Sequence, residues 1–411
     1  MVGPVAALLR GSPLKPALWL LIAVLTYLYA ASDIGYAIAH GDWQSSRTTM
    51  LGRDFVNVFT SGHLVLEGQL AGIYDVPAYQ DYQSKLLGEA IDGHNYSYAP
   101  ITFFFVWLFA LLPYGLSYCA WIALTGAAFV FAARPYLKDA GLPAWAALLL
   151  PAAAANIWAG HYGFLVGALW LGGWRVMESR PKLAGLMFGL LAIKPHMALL
   201  LPLVLAWRGE WVAFRFAAYT VCALVAGSGL LFGWDLWAVY LTETAMFQAS
   251  LLSQTQAFYM MMMPSIVPSL GLAGATAAVS WAVQAVVAVC VVAALLRRMP
   301  RDGAAAGLAT AVATVLVVPY SFNYDLAAAG VFAICLLYSR SAATRLERGI
   351  AAAALLLPLL LPFLGIAGLP LGPVVMGFLL WAALRGPGEA VRLPRLRGEG
   401  ARAPMVPLEK A

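Results

Sequence analysis

Charge is the scarcest property of this chain. Asp, Glu, Lys and Arg together make up 11% of its 411 residues, while 62% are hydrophobic; soluble domains carry about 25% charged and roughly 45–50% apolar residues. Too little polar surface remains to cover a water-soluble globule. Cysteine is nearly as sparse. Cys119, Cys222, Cys290 and Cys335 stand singly inside apolar runs, which excludes a close-spaced zinc or redox motif and leaves them as small buried hydrophobes. The chain also lacks a phosphate-cradling P-loop, a dinucleotide fingerprint and an HExxH pair. Nucleotide-fuelled chemistry is therefore not expected, and no metal or cofactor is predicted. No basic stretch is interleaved with aromatic platforms, which excludes nucleic acid as a partner. The net charge of +6 reads instead as membrane topology.

What the chain does have is apolar run after apolar run. A hydrocarbon core of roughly 30 Å takes about 20 such residues as helix, and a helix satisfies its own backbone polar groups in lipid. A barrel would need short alternating segments, and the run from Gly185 to Trp207 does not alternate. The fold class is thus an all-α polytopic membrane protein. Helices are predicted over 17–39, 100–112, 115–133, 142–157, 160–176, 183–207, 212–232, 265–296, 304–320, 324–339, 349–366 and 370–385. These give roughly ten to twelve membrane segments in one domain over 1–385. The first run reads as an uncleaved helix because so many spans follow it. The tail from 386 to 411, rich in Pro, Gly and Arg, reads as a disordered cytoplasmic end.

Basic residues orient the chain. Arg10 and Lys15, then Arg297, Arg298 and Arg301, then Arg340, Arg345 and Arg348, and finally Arg392, Arg395 and Arg397 place both termini in the cytoplasm. Alternation puts 40–98, 233–263, 319–325 and 366–371 outside. The segment 183–207 is expected to break at Lys194-Pro195, since a mid-helix proline removes a backbone bond. Gly163 to Gly167 and Gly185 to Gly189 have the GxxxG spacing of close helix packing.

The external loop 40–98 is expected to fold. One helix opens at Asp54 and runs to about Leu66, and a second runs from Pro77 to Ile91 after Asp75, with Tyr79, Tyr82 and Leu86 on one side. Both are expected to lie along the membrane surface. In the loop 233–263, Gln248, Gln254 and Gln256 precede the run Met260 to Met263, a composition suited either to an adaptable lipid-binding surface or to interfacial packing.

Few polar groups can carry chemistry, so each has two readings. Asp54, in Gly52-Arg53-Asp54-Phe55, is either a general base or a helix cap paired with Arg53. Tyr96 and Tyr98 are either interface anchors or stacking partners for a sugar ring. Asn156 and His161 belong to a short polar turn, where His161 is either a satisfied loop histidine or a donor to a phosphate or sugar hydroxyl. Lys194, with His196 two residues on, sits in mid-span, where a charge costs about 2.5–3.5 kcal/mol on insertion scales. Its partner must be a membrane acid or an anionic ligand, and a ligand phosphate is the favoured one. Asn323, Tyr324 and Asp325, in the turn Pro319 to Asp325, either bind acceptor hydroxyls or cap the helix that follows.

These motifs occur in the order seen in one family. Gly-Arg-Asp-Phe at 52–55, Tyr-Ser-Tyr-Ala-Pro at 96–100, Gly-His at 160–161, Ala-Gly-Leu-Met-Phe-Gly at 184–189 leading to Lys194-Pro195, and the turn 319–325 resemble the polyprenyl-phosphate-dependent α-mannosyltransferases of glycosyltransferase family 87. The resemblance covers roughly residues 17–340. It implies a GT-C helical bundle with a large first external loop carrying two surface helices, and an active site at the outer face. It implies that Asp54 is the base and that Tyr96, Tyr98, Lys194 and Pro195 are motif residues of the site; the residues themselves add the expectation that Arg53, Lys194, His196 and His161 serve the donor phosphate and that Tyr96, Tyr98, Asn156, Asn323, Tyr324 and Asp325 contact sugar or acceptor. The expected reaction moves a hexose from a polyprenyl-phosphate donor to a glycolipid or glycan acceptor, with inversion, at the outer face of the plasma membrane. Two positions depart from the family pattern: Ala99-Pro100 stands for a double proline, and Gly160-His161 for Gly-Gln. The rival readings are a transporter or flippase of lipid-linked sugars, which calls for inverted repeats that are not seen, and a polysaccharide ligase or polymerase.

Overall fold

The computed structural model describes residues 49–88, 93–244, 258–338 and 343–385, with scattered positions in 24–43 and 246–250. Most of the expected first helix (17–39), the tail 386–411, and Gln248, Gln254 and Gln256 lie outside the described residues. Among the described residues every regular element is a helix. Four are long and apolar enough to cross a membrane: Tyr114–Asp139, Trp211–Phe232, Ala277–Arg297 and Arg345–Ile366. Shorter apolar helices fill the space between them, so the chain is a polytopic helical membrane protein.

Helix α1 (Phe55–Leu66) buries nine of its twelve residues and packs on α3 (Phe103–Ala110). A Cβ at Gly62 would fall 2.5 Å from the Val106 carbonyl oxygen, so the two backbones touch. This corrects the expectation of a surface helix: the apolar residues Phe55, Val56, Val58, Phe59 and Leu64 surround the helix on more than one side and require cover. Helix α2 (Val76–Leu87) does behave as a surface helix, burying only Tyr79 and Gln83. Asp75 caps it by accepting from the Ala78 N–H at 3.1 Å. It ends at Gly88, several residues short of Ile91.

After α4 (Tyr114–Asp139), the segment expected over 142–157 is interrupted at Leu150-Pro151. A 3-10 stretch (Ala144–Leu149) gives way to α5 (Pro151–Ala159), because proline begins a helix more easily than it continues one. Helices α6 (Gly163–Val176) and α7 (Pro181–Leu190) follow, and α6 packs on α4. The break at Lys194-Pro195 is as expected: α7 tightens to 3-10 at Leu191–Ile193, Lys194 leaves helical geometry (φ −139°, ψ 71°), and α8 (Leu201–Trp207) resumes the course. Steric pressure from the Pro195 ring on the preceding residue accounts for that geometry. Helices α9 (Trp211–Phe232) and α10 (Trp234–Val239) come next. The expected helix 265–296 is two helices, α11 (Ile266–Leu272) and α12 (Ala277–Arg297), separated by a turn at Gly274 with φ +88°.

Helices α13 (Gly303–Val317) and α14 (Ala327–Tyr338) form the centre, and nearly every residue of both is buried. Ala, Gly and Thr make this possible, since small side chains let neighbouring helices approach. Thr310 and Thr314 return their hydroxyls to the carbonyls four residues back, and Trp170 donates to the Gly307 carbonyl at 2.9 Å. Helices α15 (Arg345–Ile366) and α16 (Leu371–Leu384) flank the pair. The turn between α13 and α14 therefore carries residues 319–325 into the middle of the protein.

The GxxxG reading at 185–189 fits the contact of α7 with α9. A Cβ at Gly185 would lie 2.4 Å from the Ala213 carbonyl oxygen, and one at Gly189 would lie 2.4 Å from Thr220 Cβ. Gly185→Leu is expected to destabilise by about 1–3 kcal/mol through overpacking, read as a lower midpoint of thermal unfolding in detergent. Gly349→Leu, where a Cβ meets open space, should leave that midpoint unchanged or raised; equal effects at the two positions would refute the packing argument.

Candidate active site

Asp54 stands at the start of α1, clamped by backbone. Its N–H donates to the Ala159 carbonyl at 2.7 Å. Gly160 follows in the left-handed region (φ +66°), and a Cβ there would sit 2.6 Å from Phe55 Cβ, so only glycine lets the α5–α6 turn lie against the start of α1. Asp54 itself has helical backbone angles (φ −81°, ψ −16°), and its carboxylate makes no cap bond. A capping side chain needs the extended geometry that precedes a helix. The capping alternative for Asp54 is thus not what the structure adopts, and the half-buried carboxylate is left for other work.

A polar wall faces it. The Tyr98 hydroxyl and His161 Nε2 are 2.6 Å apart. The His161 ring stacks on Tyr324 with centroids 4.0 Å apart and planes 18° from parallel. On Tyr324 also rests the Lys194 ammonium, 4.9 Å from the ring centroid. Lys194 forms a salt bridge with Asp325; the two residues are 3% and 5% exposed. The charge expected to be met by a ligand phosphate is met by a carboxylate of the chain itself. The second Asp325 oxygen accepts from the Phe322 N–H at 3.0 Å, so Asp325 is held from two directions. His196, on the same broken segment as Lys194, packs edge-on against Tyr320 at 5.4 Å.

Asp54 lies in the field of these charges. Burial pushes its carboxyl above the ordinary carboxylate value, against the opposing pull of His94, Arg53 and Lys194, and Asp325 adds to the rise. The Arg53 guanidinium sits 5.3 Å from the Trp158 ring centroid.

Three residues expected to touch substrate are occupied structurally instead. Asn156 donates to the Ala152 carbonyl at 2.9 Å and the Tyr324 carbonyl at 2.8 Å, and accepts from the Phe164 N–H at 3.1 Å. Its amide is fully used in joining α5, α6 and the 319–325 turn. Asn323 donates to the Pro358 carbonyl at 3.3 Å. Asp325 is engaged as described. Tyr96 turns its hydroxyl to Thr102 at 2.6 Å, away from His161. The contacts that do assemble join Tyr98, His161, Tyr324, Lys194 and Asp325, with Asp54 in electrostatic range of Lys194 and Asp325.

Sequence reasoning missed His94 and Tyr320. His94 is one of only five histidines and directly precedes the Asn95-Tyr96 motif, a signal that was available. Tyr320 lies inside the motif 319–325, where Asn323, Tyr324 and Asp325 were the candidates.

The family model for glycosyltransferase family 87 matches residues 96–322, more than half of the chain. The chain belongs to glycosyltransferase family 87. It is a membrane glycosyltransferase, and the matched stretch contains Tyr98, His161 and Lys194, whereas Asp54 and Asp325 lie on either side of it. No curated protein and no solved structure matches the chain.

Removing one member of a buried ion pair leaves an uncompensated charge. Lys194→Met is expected to destabilise by about 3–5 kcal/mol, and the double variant Lys194→Met/Asp325→Asn to recover most of that loss, because Asn retains an acceptor for the Phe322 N–H. Thermal unfolding in detergent reads both. A double variant no more stable than the single one would show that the ion pair is not what Asp325 requires.

Proposed function

We propose that this glycosyltransferase moves a hexose, mannose or a close relative, from a polyprenyl-phosphate donor to a hydroxyl of a glycolipid or glycan acceptor at the outer face of the plasma membrane. The observation that carries the reading is Asp54: a half-buried carboxylate without a capping bond, held rigidly by backbone contacts in the field of Lys194, Arg53 and His94. The acceptor oxygen attacks the anomeric carbon as the bond from that carbon to the phosphate oxygen breaks. Asp54 takes the hydroxyl proton, and the polyprenyl phosphate leaves with the bonding pair. Attack opposite the departing phosphate inverts the anomeric centre.

A phosphate leaves without protonation if positive charge meets it. Arg53 is half-buried, whereas Lys194 is buried, shares its charge with Asp325 and acts on the site mainly through its field. His161 and His196 complete the phosphate side. Tyr98 presents its aromatic face to the sugar, while Tyr324, covered by His161, Phe322 and the Lys194 ammonium, orders the wall behind it. A lipid donor also suits the placement of the cluster among apolar helices, because its hydrocarbon tail stays in the bilayer while the headgroup reaches the carboxylate. This arrangement, with the large polar loop first in the chain, supports a GT-C plan with the site on the outer side, the side to which the basic residues assign 40–98 and 319–325. The transport reading also calls for a cation at membrane depth and a Met-lined groove, but family membership favours the enzyme.

In liposomes supplied with labelled polyprenyl-phosphate mannose and a mannosyl acceptor, Asp54→Asn is expected to lower transfer by about 10²–10⁴-fold, the range for loss of a general base; wild-type turnover in this variant would refute the assignment. The pH dependence has a definite sign. Asp54 works deprotonated, so transfer falls as pH drops through its pKa, and burial places that limb above the ordinary carboxylate value of about 3.9. Arg53→Gln removes a charge that pulls the pKa down, so the acid limb should move to higher pH. A limb that stays in place or moves down would mean that Asp54 is not the titrating group.

A further inference from the structure

A cleft of about 560 Å³ opens beside the site, walled on one side by Tyr74, Asp75, Asn95 and Tyr96 and on the other by Glu243 and Thr244. Its volume lies within the usual range for small-molecule sites. The two walls come from separate parts of the chain, the stretches on either side of α2 and the segment after α10, and they meet where Tyr74 packs on Tyr240 at 5.9 Å. Both carboxylates belong to the lining, and among the described residues no Lys, Arg or His does. Ionised carboxylates only accept hydrogen bonds, so they fit a ligand rich in hydroxyl donors and repel a phosphate. Glu243 is exposed and Asn95 half-buried, within reach of a solute, while the aromatic rings supply an apolar surface of the kind that stacks on a sugar ring.

The cleft is coupled to the catalytic cluster through one short stretch of chain. Tyr96 lines it, and the Tyr96 ring lies 5.4 Å from that of Tyr98, whose hydroxyl meets His161. Tyr74, from the cleft wall, donates its hydroxyl to the Tyr98 carbonyl at 2.7 Å. A ligand seated between Asp75 and Glu243 therefore stands one residue pair from the reacting groups.

We infer that this cleft binds the uncharged sugar portion of the acceptor, separately from the anionic donor. The assignment rests on the transferase reading above for its role, but its ligand chemistry can be tested without turnover. Saturation-transfer NMR on the protein in nanodiscs, with mannotriose and maltotriose as neutral probes and a glucuronic-acid disaccharide as the anionic control, should show binding of a neutral sugar and rejection of the uronate. Glu243→Lys should weaken that binding by about ten-fold or more, as expected when a hydrogen bond to a charged group is lost. Asp75→Asn keeps the α2 cap, since Asn caps as well as Asp, and should weaken binding with an unchanged unfolding midpoint. In the transfer assay Glu243→Lys should raise the acceptor KM with kcat and donor hydrolysis unchanged. Failure of both neutral sugars to bind, equal binding by wild type and Glu243→Lys, or a preference for the uronate overturns the inference. Binding intact with no transfer from any polyprenyl-phosphate sugar defeats the transferase reading instead and leaves the cleft assignment standing.

Discussion

The Lys194–Asp325 ion pair is the constraint on which the centre of this protein depends. Proline at 195 stops one helix and forces the residue before it out of helical geometry, and that residue is a lysine surrounded by apolar helices. Asp325 reaches it from a turn between two helices that are themselves almost wholly buried. Neither charge could be kept without the other. Once paired, they fix the 319–325 turn against the broken segment, and Tyr324 is then trapped between the Lys194 ammonium and the His161 ring. The order of the aromatic wall follows from an electrostatic requirement in the core.

A second, uncharged joint works with it. Asn156 spends its whole amide on three backbone groups from three elements, and the site leaves no room for error. A Cβ at Gly163 would fall 2.3 Å from Asn156 Oδ1 and 2.4 Å from the Tyr324 carbonyl oxygen. The same turn holds Ala159 and Gly160 against the start of α1. Asp54 and Tyr324, far apart in the chain, are thus located by one asparagine and two glycines. A buried amide satisfied on every side rigidifies what it joins, and this explains why a residue that looked like a sugar contact serves as a positioning residue.

Much of this was legible in the sequence, for reasons that differ by element. The helical membrane class followed from hydropathy because lipid leaves a chain few other choices. The break at Lys194-Pro195 was legible because proline has a mandatory local effect, and the two GxxxG pairs because spacing alone implies contact. Asp75 was readable as a cap from its place before a polar helix. Burial of α1 was not, since Phe55, Val58 and Phe59 read as one face although Val56 and Leu64 carry the apolar surface round the helix. The pairing of Lys194 with Asp325 joins residues 131 apart in the chain. Local pattern could say that a partner was required and could name a membrane acid among the candidates, but could not choose it. Asn156, Asn323 and Asp325 were placed among the substrate contacts because residue type was read without the backbone groups that occupy them.

The distribution of charge that results is lopsided in a way that suits the proposed chemistry. Lys194, Arg53 and His94 gather on the side of Asp54, whereas Asp75 and Glu243 line the cleft beyond Tyr96. A single binding region of one sign would attract donor and acceptor alike, or neither. In the proposed chemistry the cations stand only on the Asp54 side of the two tyrosine rings, so the cleft carboxylates disfavour an anionic lipid headgroup and accept the hydroxyl donors of a neutral partner. The separation of the two regions also limits how far cleft charges can raise the Asp54 pKa further, which matters because a base pushed too high would be protonated when needed. The tyrosine pair is then a spacer, hydrogen-bonded through Tyr74 and His161 firmly enough to keep the two regions in register.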